Sequence, residues 1–384
     1  MDLRNLRGLV SELDVPEIID LIGLDRIIEA VGKDKLIQKI GLKKIIEQIG
    51  LEKALEIASR HLSKEQVKEI LEKEYERRLT TMAYVLALLA SGRTKGFTAS
   101  LLESAIEGAQ SVENVEVELV HLHKYKFGPC NSCFSCIRDE AHNCVLKDAM
   151  GGDGELMAKV KRANGWIIAD PVHCWGPSAQ IHLFIERCYP FIWSGNLEGM
   201  PFASISCASN QGMQRIANSN LCKWAFTYGL RYIGGMPVHT VYIEQARLEA
   251  KTLGRKLAEA AVEDAKGRKK FPDPERYVDY LDKPWRVLEP YLDNLSNGTF
   301  DYSSSLIAQG LSNFKRQEAK ELLGQAKVHL EESLNLYKQG KHKEACDQLV
   351  RASALWTHAT WKEFLEEDVV KTSVPGAYRP IVEE

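Results

Sequence analysis

Apolar residues near the start of the chain recur in steps of nine. LDVPEIIDL begins at Leu13, and IGLDRIIEA, VGKDKLIQK, IGLKKIIEQ and IGLEKALEI follow from Ile22, Val31, Ile40 and Ile49. At about 100° per residue, nine residues rotate a helix by two and a half turns, so one unbroken helix would throw successive repeats onto opposite faces. Within one repeat, Leu24, Ile27, Ile28 and Val31 form a single apolar face. Gly23, Gly32, Gly41 and Gly50 read as breaks between very short helices. Such units bury their faces only by stacking on each other or on a partner. Residues 1–79 are therefore expected to be a helical docking or oligomerisation segment; a kinked helix pair packed on the main domain fits the same pattern. Ser63 and Gln66 make a capping box that opens a helix running to about Arg78.

At Ala83 the period changes. Ala83–Ala90 is a continuous apolar run, as a buried parallel strand requires. Helices are then predicted over Thr98–Ala109, Asp153–Arg162, Ser178–Tyr189, Met213–Tyr228 and Ala246–Lys266. Strands are predicted over Val115–Leu122, Gly165–Ala169, Phe202–Cys207 and Val238–Tyr242. This alternation predicts a doubly wound α/β domain with a five-stranded parallel sheet over residues 80–266. Residues 267–310, rich in proline and aromatic side chains, read as a linker packed on the domain surface. Residues 311–384 carry an amphipathic helical hairpin from about Lys315 to Glu367, broken at Gln339-Gly340-Lys341. Leu322, Ala326, Leu330, Leu334 and Tyr337 line one of its faces; Ala345, Leu349, Ala352 and Leu355 line the other.

Composition narrows the setting. The 384 residues suffice for two or three domains and a large core. A formal net charge of −3 gives no electrostatic case for nucleic acid or an anionic membrane surface as partner. The first residues carry charges throughout and lack a signal-peptide apolar run, and no apolar stretch is long enough to span a bilayer. A cytoplasmic location follows as the expectation. There thiols stay reduced, so the nine cysteines read as ligands, redox groups or core residues. Cys188, Cys207, Cys222 and Cys346, in apolar surroundings, are expected to be buried packing residues.

The remaining chemistry lies in loops that follow strands. Cys130, Cys133, Cys136 and Cys144 have the spacing C-x₂-C-x₂-C-x₇-C. Two-residue gaps let successive thiolates converge on one centre. Zinc sites more often use two separated pairs, so three such cysteines in a row favour an iron–sulfur site; zinc and free redox-active thiols remain alternatives. After the first strand, Ala90-Ser91-Gly92-Arg93-Thr94-Lys95-Gly96-Phe97-Thr98 leads straight into a helix. Hydroxyls, a helix N-terminus and an arginine suit a phosphate, although the loop matches neither the P-loop nor G-x-G-x-x-G. After the third strand, Asp170-Pro171-Val172-His173-Cys174-Trp175-Gly176-Pro177-Ser178 offers a rigid backbone and flat side chains to a planar ring. Plain capping by Thr98, a solvated Arg93 and core packing of Trp175 are the alternatives that need no ligand.

Taken together, the three loops resemble the iron–sulfur flavoproteins of the NADPH-dependent FMN reductase branch of the flavodoxin-like fold. The first loop keeps Ser91, Arg93, Gly96 and Thr98 of that pattern. The middle segment keeps all four cysteines with Asp148 and Met150, and the third keeps Pro171, Val172, Ser178 and Arg187. The departures are Ala90, Phe97, Ala149, Asp170, His173, Trp175 and His182, with Gly176 one place after the usual glycine. The resemblance implies a flavodoxin-like sheet with FMN at its carboxyl edge, the phosphate on Ser91, Arg93, Gly96 and Thr98, and the ring along Pro171, Val172, His173, Trp175 and Gly176. It also implies a [4Fe-4S] cluster on the four cysteines, NAD(P)H or a ferredoxin-like protein as donor, and a homo-oligomer. Asp170 would then bring a carboxylate near the ring and oppose negative charge there on reduction. The implied function is a flavin-dependent oxidoreductase converting between one- and two-electron carriers. The alternatives are an NAD(P)H-dependent flavin or quinone reductase without a cluster, or a flavodoxin-like subunit docked in a larger redox complex through the repeats.

Overall fold

Strand β1 (Ala83–Leu89) is buried at every position, because it is an interior strand and helices cover both faces of its sheet. The computed structural model describes residues 82–364, all within one compact unit. The nonapeptide repeats and the capping-box helix lie outside the described residues. After β1 come α1 (Phe97–Gln110), β2 (Val115–His121), the short α2 (Ser135–Arg138), α3 (Glu155–Arg162) and β3 (Gly165–Pro171). Then follow α4 (Ala179–Arg187), α5 (Pro190–Ser194), β4 (Pro201–Ala208), α6 (Gln214–Thr227), β5 (Arg231–His239) and α7 (Ile243–Lys266). The strands run parallel in the order β2-β1-β3-β4-β5. That order is flavodoxin-like and reverses direction between β1 and β3, which puts a crevice at the carboxyl ends of those two strands.

Alternation along β1 divides the core. Ala83, Val85, Ala87 and Leu89 face α1 and α7. Tyr84, Leu86, Leu88 and Ala90 face α3, α4 and α6. The first face is thin because its two helices nearly touch: a Cβ on Gly108 would lie 1.8 Å from the Lys251 carbonyl oxygen, and one on Gly254 would lie 1.9 Å from that of Ala105. Only glycine at both positions permits that approach.

β5 differs from the sequence expectation. The strand begins at Arg231 rather than Val238, and Thr240–Tyr242 form a 3₁₀ turn instead of its end. Gly234, Gly235 and Pro237 mask the strand in sequence, since these residues weaken ordinary strand patterning. A register shift against Phe202 and Ala203 accommodates them. Gly235 is required because the Tyr232 hydroxyl would lie 1.8 Å from any Cβ there. That hydroxyl joins Ser204 and Asn218 in a fully buried hydrogen-bonded triad that fixes β4, β5 and α6 against one another.

Beyond α7 the chain forms α8 (Asp273–Asp279), α9 (Leu288–Leu295), α10 (Leu306–Asn313), α11 (Gln317–Lys338) and α12 (His342–Phe364). The break at Gln339-Gly340-Lys341 is as predicted, with Gly340 at φ 75°. Ser333 donates to the Ala345 carbonyl across the hairpin at 2.7 Å. Leu323, Leu330, Leu349 and Leu355 of the hairpin and Tyr277, Tyr280 and Leu292 before it join the same core as Leu86, Phe184 and Phe226. No described helix is long and apolar enough to cross a membrane.

Candidate functional site

The crevice is built from loop ends. Ser91 is buried at the end of β1, and its Oγ accepts from the Arg93 N–H at 3.1 Å, which curls the loop; Arg93 itself is exposed. Gly96 precedes α1 in extended conformation with no side-chain cap, and the first turn of α1 carries no acidic residue. The first N–H groups of a helix have no partner within it and attract anions. Thr98 is buried, its hydroxyl bonded to the Cys207 thiol at the end of β4, so its side chain packs inward. His123 was not singled out in the sequence. From the turn after β2 its Nε2 stands 3.1 Å from the Ala90 carbonyl oxygen, and its ring lies over Gly92.

The loop after β3 is a tight reversal. His173 and Gly176 exchange backbone hydrogen bonds, each 2.9 Å, around Cys174 and Trp175 at φ 48° and 67°. Two successive left-handed residues are the signature of a turn that ordinarily selects asparagine and glycine. The glycine that the family pattern places at position 175 thus has a backbone reason. A Cβ on Gly176, by contrast, would meet no atom within 4 Å. Trp175 is 58% exposed and its Nε1 donates to Gln211 Oε1 at 3.3 Å, tying this loop to the one after β4. That loop also escaped the sequence reading; Asn210 and Met213 there are left-handed, and the Asn210 carbonyl lies 3.2 Å from His239 Nε2.

Asp170 does not face the crevice. It is fully buried, accepting from the Ser178 N–H at 2.9 Å and the Ser178 hydroxyl at 2.5 Å. Ser178 in turn caps α4 by accepting from Ile181 N–H. Burial raises the Asp170 carboxyl to about 7, against the two hydrogen bonds that favour its anion. The carboxylate expected beside the ring is therefore a peg that pins the loop to α4.

The cysteine segment has little regular structure, and side chains hold it. Arg187, 1% exposed in the last turn of α4, makes a bidentate pair with Asp148 at 2.6 and 2.9 Å. The same guanidinium donates to the Gly128 carbonyl at 2.8 Å and to Cys144 Sγ at 3.6 Å. Asp148 also accepts from the Gly128 and Met150 N–H groups. One ion pair thus ties the entry of the segment to its exit. Burial works against the Asp148 anion, but Arg187 and the two backbone donors outweigh it and keep the carboxyl below its usual range. Ser132 and Phe134, between the first three cysteines, are left-handed at φ 49° and 54°. Such alternation turns N–H groups toward one concave side, as at many iron–sulfur and phosphate sites; the Ser132 N–H donates to Cys130 Sγ at 3.4 Å.

Cys130, Cys133, Cys136 and Cys144 all line one cavity of about 300 Å³, with Glu186, Arg187 and Tyr189 in its wall. All four are free thiols. They surround the space without meeting: among the described residues, no three His, Cys, Asp or Glu side chains are grouped so as to hold a metal ion. Burial, and then the negative charges of Cys144, Cys130 and Cys133, push the Cys136 thiol up to about 11. Hydrogen bonds from Ser135 hold the Cys133 thiol below its ordinary value. Mutual repulsion of this kind is what a bound cation relieves, so the donor set fits a thiophilic metal centre. Cys188, Cys207, Cys222 and Cys346 are buried, as expected of packing residues.

Residues 83–239 match the NADPH-dependent FMN reductase family. An iron–sulfur flavoprotein of Archaeoglobus fulgidus is 27% identical over 179 residues, covering 46% of this chain and 79% of the relative. An iron–sulfur flavoprotein of Methanocaldococcus jannaschii is 31% identical over 106 residues, covering 28% of this chain and 52% of the relative. Among solved structures, a NAD(P)H:quinone oxidoreductase from Methanothermobacter marburgensis aligns over 45% of this chain and 95% of its own, at 21% identity and a TM-score of 0.36; the strand order, not that alignment, carries the fold. The α/β domain is thus similar to the NADPH-dependent FMN reductase family over residues 83–239, and among the relatives it matches are iron–sulfur flavoproteins.

Proposed function

We propose that this flavin-dependent oxidoreductase joins FMN to a [4Fe-4S] cluster held by Cys130, Cys133, Cys136 and Cys144, and passes electrons between one- and two-electron carriers in the cytoplasm. The observation that carries the reading is that all four thiols line one cavity whose two chain ends are clamped by Arg187 and Asp148. When bound, FMN supplies one- or two-electron chemistry and a four-iron cluster supplies one-electron chemistry. The chain's own task is to bind and orient. The uncapped start of α1, Ser91 and Arg93 would hold the phosphate, with Thr98 contributing through its backbone. The reversal at His173–Gly176, pegged by Asp170 and tied to Gln211, would present a fixed surface to the ring. NAD(P)H or a ferredoxin-like protein would act as donor, and a homo-oligomer would be the working form.

A second reading, an NAD(P)H-dependent flavin or quinone reductase without a cluster, is favoured by the separation of the thiols as they stand. Iron, zinc and flavin content of protein purified without oxygen decides between them. About four irons per chain with FMN is the expected result. Flavin without iron overturns the cluster and leaves the reductase. Cys133→Ala is expected to lose the iron and keep the FMN.

A further inference from the structure

A residue from the C-terminal hairpin packs behind the wall of the cysteine cavity. Cys136, 9% exposed, and Ile137 pack into a small core separate from both faces of the sheet, and its third buried member is Trp361 in the last turn of α12. Phe134, Tyr189 and Trp193 complete that core. Trp193 and Trp361 face each other with ring centroids 5.2 Å apart, and Tyr189 meets Trp193 edge-on at 6.0 Å. Phe134 and Tyr189 also line the cysteine cavity, so the core lies directly behind its wall.

Anchoring the hairpin does not require this contact. Leu330, Leu349, Leu355 and Ala359 already seat α11 and α12 in the main core. Nor is Trp361 placed for its own hydrogen bonding, since its buried indole N–H has no partner among the described residues. An unpaired buried donor opposes folding. The indole's contribution lies in what it covers.

We propose that Trp361 is a positioning residue for the cysteine site: packed at a tilt against Trp193, it roofs the Cys136–Ile137 side of the cavity and keeps water and small reagents from the deepest thiol. Its consequence for a bound cluster rests on the function proposed above; its consequence for the thiol does not.

The test uses the full chain. In oxygen-free protein cleared of metal by chelation, alkylation of each cysteine by iodoacetamide is followed by peptide mass. Cys136 is expected to react more slowly than Cys133, and at least about tenfold faster in Trp361→Ala than in the unaltered protein, because reactivity follows exposure. Trp361→Phe, which keeps a ring at the position, is expected to restore most of the protection. In iron-loaded protein, Trp361→Ala is expected to bleach about tenfold faster in air and to move the cluster potential to more positive values, since solvent exposure sets both. FMN content is unchanged. Circular dichroism checks folding, and if Trp361→Ala does not fold, Trp361→Leu, which removes the ring but keeps an apolar side chain, carries the same comparison. Unaltered Cys136 alkylation in folded Trp361→Ala, or in folded Trp361→Leu where the alanine variant does not fold, overturns the roof. Iron-free protein whose Cys136 is still guarded by Trp361 overturns the cluster and leaves the roof standing.

Discussion

The carboxyl-edge loops and the cysteine segment are positioned by opposite means. Leu89, Pro171 and Cys207 stand where they do because they lie in strands, and a neighbour in the sheet fixes each. The segment from Tyr125 to Gly154 contains one four-residue helix and no strand. Its shape depends on Arg187, Asp148, Glu186 and Trp361, contributed in part by distant elements. The flavin edge should therefore tolerate loss of single side chains, whereas the cysteine segment concentrates its order in a few bonds.

The sharpest way to break this contrast is Arg187→Ala. Removing one partner of a buried ion pair costs about 3–5 kcal/mol. The melting temperature is expected to fall and iron to be lost, while residual folded protein still binds FMN. Arg187→Lys should recover little, because a lysine cannot span both Asp148 oxygens and the Gly128 carbonyl. Loss of FMN alongside iron in both variants would show that the two regions are not separable.

Asp170→Asn probes the edge by pH. With its folded carboxyl raised to about 7 and its unfolded one near 3.9, the unfolded chain binds fewer protons between those values. This group's contribution to stability is therefore full below about pH 4 and declines as pH rises to about 7, by roughly 2–4 kcal/mol. Denaturant titrations of the Asn variant should lack that portion of the slope. A slope identical to that of the unaltered protein would mean Asp170 titrates normally.

Smaller effects belong to the exposed groups of the crevice. Arg93→Ala is expected to weaken FMN binding about tenfold, as loss of one charge-assisted contact does, and to leave the melting temperature of flavin-free protein unchanged. Trp175→Gly relieves a left-handed backbone and should stabilise flavin-free protein by up to about 1 kcal/mol. Calorimetry reads both. Destabilisation by the glycine would mean that the Trp175–Gln211 bond outweighs the strain.

What the sequence disclosed follows the same division. The run at Ala83–Ala90, the helix after Gly96 and the hairpin break at Gly340 were legible because apolar period and turn chemistry are local. β5 was displaced because Gly234, Gly235 and Pro237 speak against a strand that tertiary packing imposes. Asp170 could be read only as a departure from a family pattern; its inward orientation depends on Ser178. Asp148 and Arg187 appeared as retained positions without a role, since an ion pair across 39 residues has no local signature. His123, Gln211 and Trp361 carried no signal, because each matters only through a partner far along the chain.

The packing of Trp361 behind Cys136 also makes the last turn of α12 a reporter. Free energies of coupling are reciprocal, so whatever the last turn of α12 lends to the thiols, a ligand on the thiols returns to α12. Filling the cavity should then slow proteolytic nicking in the hairpin, where local opening governs cleavage. Occupancy of the cysteines becomes readable on a gel, from a band that contains none of the four.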